Sequence, residues 1–346
     1  MFKPKCVLLT GGAGFIGSNT TIRLVKNHPN VHFVVLDKLD YCANIKNLDP
    51  VSECKNFTFI RGNILSSDLV NHIVKTHAVD TIYHFAAQTH VDNSFGNSLT
   101  FTRNNVLGTH TLLECWKQNQ SQIKRFIHVS TDEVYGENKD SNATDNSFDE
   151  DGSKMSPTNP YAASKAAAEI LVKSYMHSFN LPGIITRGNN VYGPRQFPEK
   201  LIPKFIQRME REMKLCIHGD GSPKRSYLYV DDAARAYEII LFRGKIGEVY
   251  NVGTEKEIKV IDVANRILDA YQIDHSDRSN HFEFVPDRHF NDQRYFISVL
   301  KLRRLDWKPE ITMEEGLHKT IQWYRENRNH WESKDIEQSI VPHPRR

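Results

Sequence analysis

Hydrophobic positions along this chain follow two alternating rhythms. Short runs rich in β-branched and aromatic residues, at Cys6–Thr10, His32–Asp37, Phe57–Arg61, Thr81–Phe85, Arg125–Ser130 and Gly183–Arg187, predict strands. Between them apolar residues return at helical spacing, near Phe15–Lys26, Asp68–Lys75, Leu99–Gln118 and Tyr161–Phe179. Parallel neighbours need a crossover, and helices supply it, so the alternation predicts an α/β chain built on a Rossmann-type doubly wound parallel sheet. After Arg187 the rhythm breaks. Loops rich in Asn, Gly, Pro and charge are expected at Gly188–Lys200 and Gly219–Arg225, with helices at Leu201–Met213, Val230–Phe242, Val260–Tyr271 and Met313–Asn327. Glu248–Val252 reads as a strand that returns to the first sheet. The expected organisation is a cofactor-binding domain over 1–187 with return segments about 226–255, and a smaller, mixed α/β substrate-binding lobe from 188–225 and 256–333. A tail over 334–346 is expected to be loosely held, and the polar stretch 137–157 reads as a flexible surface loop.

Composition narrows the partners. A net charge of +3 over 346 residues gives no reason to expect nucleic acid or a membrane surface. No stretch approaches the roughly 18–20 apolar residues of a membrane span, and Met1–Lys5 runs into a strand without a signal-peptide pattern, so a cytoplasmic location is expected. The five cysteines are odd in number and scattered, with no Cys-x-x-Cys pair, which favours reduced thiols over a metal site.

Candidate chemistry begins at the first strand–helix junction, Thr10-Gly11-Gly12-Ala13-Gly14-Phe15-Ile16-Gly17. Glycines there let the backbone turn tightly against a pyrophosphate, whose charge sits on free N–H groups at a helix start. Asp37 ends the second strand, where an acid binds both ribose hydroxyls and repels a 2′-phosphate, so NAD is favoured over NADP; Lys38 beside it weakens that preference. The competing reading is a glycine turn with a solvated Asp. Phe85-Ala86-Ala87-Gln88-Thr89 follows the fourth strand, its alanines giving clearance for a cofactor or serving equally as helix-packing positions. Strand five runs into Ser130-Thr131-Asp132-Glu133, and a helix then opens with Tyr161 and, one turn on, Lys165. A lysine ammonium near a phenol of ordinary pKa about 10 favours the phenolate, which makes Tyr161 a base for a sugar hydroxyl, with the Thr131 or Ser130 hydroxyl completing the hydrogen bonds. Taken alone, Tyr-x-x-x-Lys reads better as an amphipathic face and Asp132-Glu133 as a solvated turn.

Together with Arg187-Gly188-Asn189-Asn190-Val191-Tyr192-Gly193-Pro194, these segments resemble the extended short-chain dehydrogenase/reductases that act on nucleotide sugars. Thr131-Asp132-Glu133-Val134-Tyr135-Gly136, His84–Asp92 and Gln196–Pro203 resemble the nucleoside-diphosphate-glucose 4,6-dehydratases within them. The resemblance implies NAD-dependent oxidation at C4 of UDP-glucose or dTDP-glucose, loss of water across C5 and C6, and hydride return to C6, in deoxysugar synthesis of the rhamnose type. It assigns Tyr161, Lys165 and Thr131 to the oxidation, Glu133 as the C5 base and Asp132 as the acid for the C6 hydroxyl. Tightly held NAD is implied against Gly11, Gly14, Phe15, Ile16, Gly17, Asp37, Lys38, Asn63, Ile64, Ala86, Ala87, Thr89, Ser130, Tyr161, Lys165 and Asn190. The sugar nucleotide is implied against His90, Thr131, Asn190, Glu199, Lys200, Leu201, His218, Arg225, Asn251, Asn291, Arg294 and Tyr295, although Asp287–Tyr295 reads otherwise as a charged surface strand. Asn63, His218 and Asn291 depart from the bacterial pattern, and with Val91–Ser98 they look more like the dehydratase part of plant rhamnose synthases, which favours UDP-glucose. The chain is then expected to stop at the keto sugar. The resemblance also implies a homodimer through a four-helix bundle of Leu99–Gln118 and Tyr161–Phe179. The alternatives are a nucleotide-sugar 4-epimerase or decarboxylase of the same fold, or a catalytically silent NAD-binding regulatory protein.

Overall fold

A computed structural model of the chain describes residues 2–138, 147–287 and 294–342. The first part runs β1 (Cys6–Thr10), α1 (Phe15–Asn27), β2 (His32–Asp37), β3 (Phe57–Arg61), α2 (Ser67–Thr76), β4 (Thr81–His84), α3 (Val91–Gly96), α4 (Ser98–Phe101), α5 (Gly108–Gln118), β5 (Arg125–Thr131), α6 (Pro160–Ser178) and β6 (Gly183–Gly188). There follow β7 (Asn190–Tyr192), α7 (Leu201–Met209), β8 (Leu215–His218), β9 (Lys224–Tyr229), α8 (Val230–Arg243), β10 (Val249–Val252), β11 (Glu257–Lys259), α9 (Val260–Ala270), β12 (Phe282–Val285), α10 (Leu300–Arg303), α11 (Met313–Glu326) and α12 (Ser333–Ser339).

Seven strands form one sheet in the order β10-β6-β5-β4-β1-β2-β3, every pairing parallel. Side chains alternate across it, as the strand period requires. Val7, Leu9, Phe33 and Val35 enter the core under α1 and α8, whereas Leu8, Val34 and Leu36 enter the core under α2 and α5. The order reverses between β1 and β4, and a crevice opens beyond the carboxyl ends of the strands at that switch point. The chain is therefore a Rossmann-type α/β protein.

A third core, with Tyr192, Phe205, Ile217, Ile267, Leu317 and Ile336, lies among α7, α9, α11 and α12. Here the sequence expectations need correction. Gly188–Lys200 and Gly219–Arg225 are not wholly loop, because β7 pairs in parallel with β9, and β11 adds an antiparallel edge. The tail is not loose as far as Pro342. Ile336 and Ile340 are buried, Lys204 Nζ donates to the Val341 carbonyl at 3.2 Å, and Arg208 to that of Ile340 at 2.8 Å. Residues 147–157 are anchored rather than flexible: Phe148 stacks on Tyr135 at 5.1 Å and Glu150 accepts the Asn251 N–H at 2.8 Å. Residues 139–146 of that stretch lie outside the described residues.

The helix predicted from Leu99 passes through a π-turn at Thr102–Leu107 before continuing as α5. Among the described residues no helix is long and apolar enough to cross a membrane, and no cluster of His, Cys, Asp and Glu is placed to hold a metal ion. The five cysteines are unpaired thiols.

Candidate active site

The crevice is lined on one side by the glycine turn, with Gly11, Gly14, Phe15, Ile16 and Gly17. Gly11 has φ +71°, and a Cβ there would stand 2.6 Å from the backbone of Ala86, so the turn and the end of β4 meet only because this residue is glycine. No side chain caps the first turn of α1, which leaves its N–H groups to a bound anion. The Asp37 carboxyl accepts the N–H groups of Ala13 (3.0 Å) and Leu39 (2.8 Å), which fixes it at the crevice wall. Lys38 is held by Asp40 (2.7 Å) and by Asn104 Oδ1 (2.9 Å), which line the same crevice. Asn63, Ile64, Ala86, Ala87, Thr89 and Ser130 line the same space. Asn63 Oδ1 already accepts the Leu65 N–H at 3.0 Å but keeps a second lone pair. The buried Ser130 hydroxyl has no partner among the described residues. An uncapped helix start, an acid at the second strand end and an orphan hydroxyl suit a dinucleotide.

Beyond Ser130 the crevice gathers Thr131, Asp132, Glu133, Tyr161 and Lys165. Thr131 Oγ1 lies 3.2 Å from Asp132 Oδ1 and accepts the Glu133 N–H at 3.3 Å. Asn159 caps α6, taking the Ala162 N–H at 2.8 Å, while its amide donates to Glu133 Oε2 at 3.0 Å. One residue thus ties the acid pair to the helix that carries Tyr161. Burial and the neighbouring Glu133 push the Asp132 carboxyl up to about 7, against the pull of its Asn189 and Thr131 bonds. Lys165 differs from expectation. Its ammonium donates to the Val129 carbonyl at 2.7 Å, and burial lowers it to about 8. Burial and Glu133 push the Tyr161 phenol up, and the Thr131 hydroxyl pulls it down, so the lysine by itself does not prepare a phenolate.

On the far wall stand His90, Asn190, Glu199, Lys200, Leu201, His218, Arg225 and Tyr295. Tyr41 donates to Glu199 at 2.9 Å, Lys200 to the Thr89 carbonyl at 2.7 Å, and Arg225 lies over the Tyr295 ring at 5.3 Å. Two expected contacts are displaced. Asn251 is fully buried beneath the site, accepting from the Tyr135 hydroxyl (2.9 Å) and donating to the carbonyls of Ser298 (3.0 Å) and Phe148 (3.1 Å). Arg294 does not line the crevice and makes a forked pair with Glu257 at 2.7–2.9 Å. Asn291 lies outside the described residues. Sequence reasoning missed Asn159, Asn104 and Asn189. Asn-Pro at a helix start signals the first; the π-turn that presents Asn104 left no trace in the periodicity.

The GDP-mannose 4,6 dehydratase family pattern matches residues 8–320. A trifunctional UDP-glucose 4,6-dehydratase/UDP-4-keto-6-deoxy-D-glucose 3,5-epimerase/UDP-4-keto-L-rhamnose-reductase of Arabidopsis thaliana is 54% identical over 344 residues, 99% of this chain and 50% of the plant protein. The chain thus spans about half the length of that relative. The dTDP-D-glucose 4,6-dehydratase of Homo sapiens is 45% identical over 98% of this chain and 95% of its own. The crystal structure of dTDP-glucose 4,6-dehydratase from Bacillus anthracis in complex with NAD superposes with a TM-score of 0.86 at 35% identity, covering 96% of this chain and 99% of that one. With the glycine turn, Tyr161 and the acid pair in one crevice, this chain belongs to the GDP-mannose 4,6 dehydratase family.

Proposed function

We propose that the chain binds NAD and dehydrates a nucleoside-diphosphate-glucose, UDP-glucose or dTDP-glucose, to the 4-keto-6-deoxy sugar nucleotide. The observation that carries this reading is a buried carboxyl, Asp132, beside a second carboxyl, Glu133, and a phenol, Tyr161, in one crevice. Gly11, Gly14, Asp37 and Ser130 would hold NAD, which when bound would supply the acceptor and donor for the hydride and a cationic ring favouring the phenolate. Tyr161 removes the C4 hydroxyl proton, while Thr131 hydrogen-bonds that oxygen. The new ketone acidifies C5, and Glu133 takes its proton. Asp132 then protonates the C6 hydroxyl, which leaves as water, and Glu133 gives its proton back to C5. A raised carboxyl pKa suits the acid, as in other paired-carboxylate sites.

In this reading residues 1–187 and 226–255 hold the cofactor, and 188–225 with 256–333 hold the sugar nucleotide. Arg225 and Lys200 supply cations for a diphosphate, a role supported by their place in the crevice lining. The protein acts in the cytoplasm as a homodimer in rhamnose-type deoxysugar synthesis. Leu99, Leu107 and Ile170 support the dimer: they are 80%, 52% and 54% exposed on the two helix segments expected at its interface. UDP-glucose and dTDP-glucose assayed side by side test the proposal. The expected result is a 4-keto-6-deoxy product without added reductant; a 4-epimer, or binding without turnover, would overturn it.

A further inference from the structure

The Asp132 carboxyl is 4% exposed, and two side chains hold its oxygens. Asn189 Nδ2 donates to Oδ2 at 2.7 Å, and the Thr131 hydroxyl, which unlike an amide N–H can turn to give or to take a hydrogen, donates to Oδ1 at 3.2 Å. An asparagine amide can ordinarily turn over and exchange its donor for its acceptor. Here it is locked. The Thr254 N–H, which can only donate, meets Asn189 Oδ1 at 3.0 Å, and the backbone N–H of Asn189 donates to the Val252 carbonyl at 3.0 Å. Gly253 makes the room, since a Cβ there would stand 1.9 Å from Asn189 Oδ1. The amide nitrogen therefore faces Asp132, and Oδ2 must accept.

We propose that Asn189 is a positioning residue that decides which oxygen of Asp132 carries the proton. With Oδ2 committed to accepting, the hydrogen of the neutral carboxyl resides on Oδ1, on the Thr131 side, and is given from there to the C6 hydroxyl. This rests on Asp132 being the general acid of the proposed dehydration. The step balances: the Oδ1–H and C6–O bonds break, water forms and leaves, the C5 carbanion pair becomes the C5–C6 double bond, and Asp132 remains as carboxylate. An electrostatic purpose alone does not account for Asn189. Its bond favours the carboxylate and so works against the acid, while burial and Glu133 keep Asp132 protonated; Tyr161 of α6, Arg225 of β9 and Tyr237 of α8 are the other ionisable groups acting on it.

The test uses the full chain with NAD, and Asn189→Leu and Gly253→Ala as variants, the second displacing the amide without altering either side chain. Single turnovers compare nucleoside-diphosphate-glucose with its 6-deoxy-6-fluoro analogue, whose leaving group needs little proton donation. Reduced nicotinamide absorbance, reporting C4 oxidation, should form at close to the normal rate. Loss of water should slow at least about tenfold, out of the about 10²–10⁴ that a placed general acid supplies. Loss of fluoride should be largely spared, and the alkaline limb of water loss should move to higher pH, because a bond to the carboxylate is gone. Equal slowing of water and fluoride loss in a folded variant would overturn the assignment; should Asn189→Leu fail to fold, Gly253→Ala carries the test. Asp132→Asn, run in parallel, separates the two readings. If it too spares fluoride and the Asn189 variants do not, only the role of Asn189 falls; if it shows no such preference, the general-acid reading has failed.

Discussion

At the residue scale, Asp132 and Glu133 are neighbours in sequence with opposite surroundings. Asp132 is buried against Asn189 and held up to about 7, while Glu133 is half-buried and takes the Asn159 amide at the mouth of α6. Tyr161→Phe should abolish C4 oxidation, read as absence of reduced-nicotinamide absorbance in a single turnover; unimpaired absorbance would remove Tyr161 from the chemistry. Glu133→Gln should leave that absorbance and stop exchange of the C5 hydrogen with solvent. Protonated Asp132 is the reactive form, so water loss should decline as pH rises through about 7. An increase over that range, in a pH series of single turnovers, would contradict the assignment. What was legible at this scale was the residue types in register: the glycine turn, Asp37, the Tyr-x-x-x-Lys face and the acid pair. Asn251, Arg294 and Asn189 were not legible, because whether an amide faces the crevice or the core, and whether Arg294 pairs with Glu257, is set by strands distant in sequence.

At the scale of elements, the main sheet was readable because helices cover both faces, which makes inner strands such as β1 and β2 nearly continuous apolar runs. The strands β7 and β11 are 3 residues long, too short for any period to emerge, and the 6-residue β9 opens on Lys224 and Arg225 in a charged stretch. The helix α6 carries Tyr161 and Lys165 near its start and Glu169 one turn further on, where the fully buried Glu169 carboxylate takes Nε (3.1 Å) and a terminal nitrogen of Arg187 from β6. Arg187 in turn lies over the ring of Tyr135 at 4.5 Å, in the turn that carries the acid pair. Glu169→Gln strands that guanidinium in the core and should cost about 3–5 kcal/mol in a denaturant titration. Adding Arg187→Met should recover most of the loss, since removing both charges spares the desolvation. A single-variant cost below about 1 kcal/mol, the level of an exposed pair, would show the pair to be unimportant.

At the scale of the whole molecule, the switch point of the sheet faces the wall built by β7, α7, β8 and β9, and the crevice between them holds every described residue of the expected catalytic set. The far edge, at Leu99, Leu107 and Ile170, is apolar and exposed. Leu107→Glu with Ile170→Glu should shift the protein to monomer in sedimentation, whereas an unchanged mass would place any dimer contact elsewhere. In the proposed reaction one crevice removes a hydrogen from C4 and delivers the same hydrogen to C6. The most direct test supplies nucleoside-diphosphate-glucose deuterated at C4 to the purified chain in ordinary water, with catalytic NAD and no reductant. Hydride return within one crevice requires deuterium in the C6 methyl group of a 4-keto product. Deuterium retained at C4, or washed out into water, would contradict it.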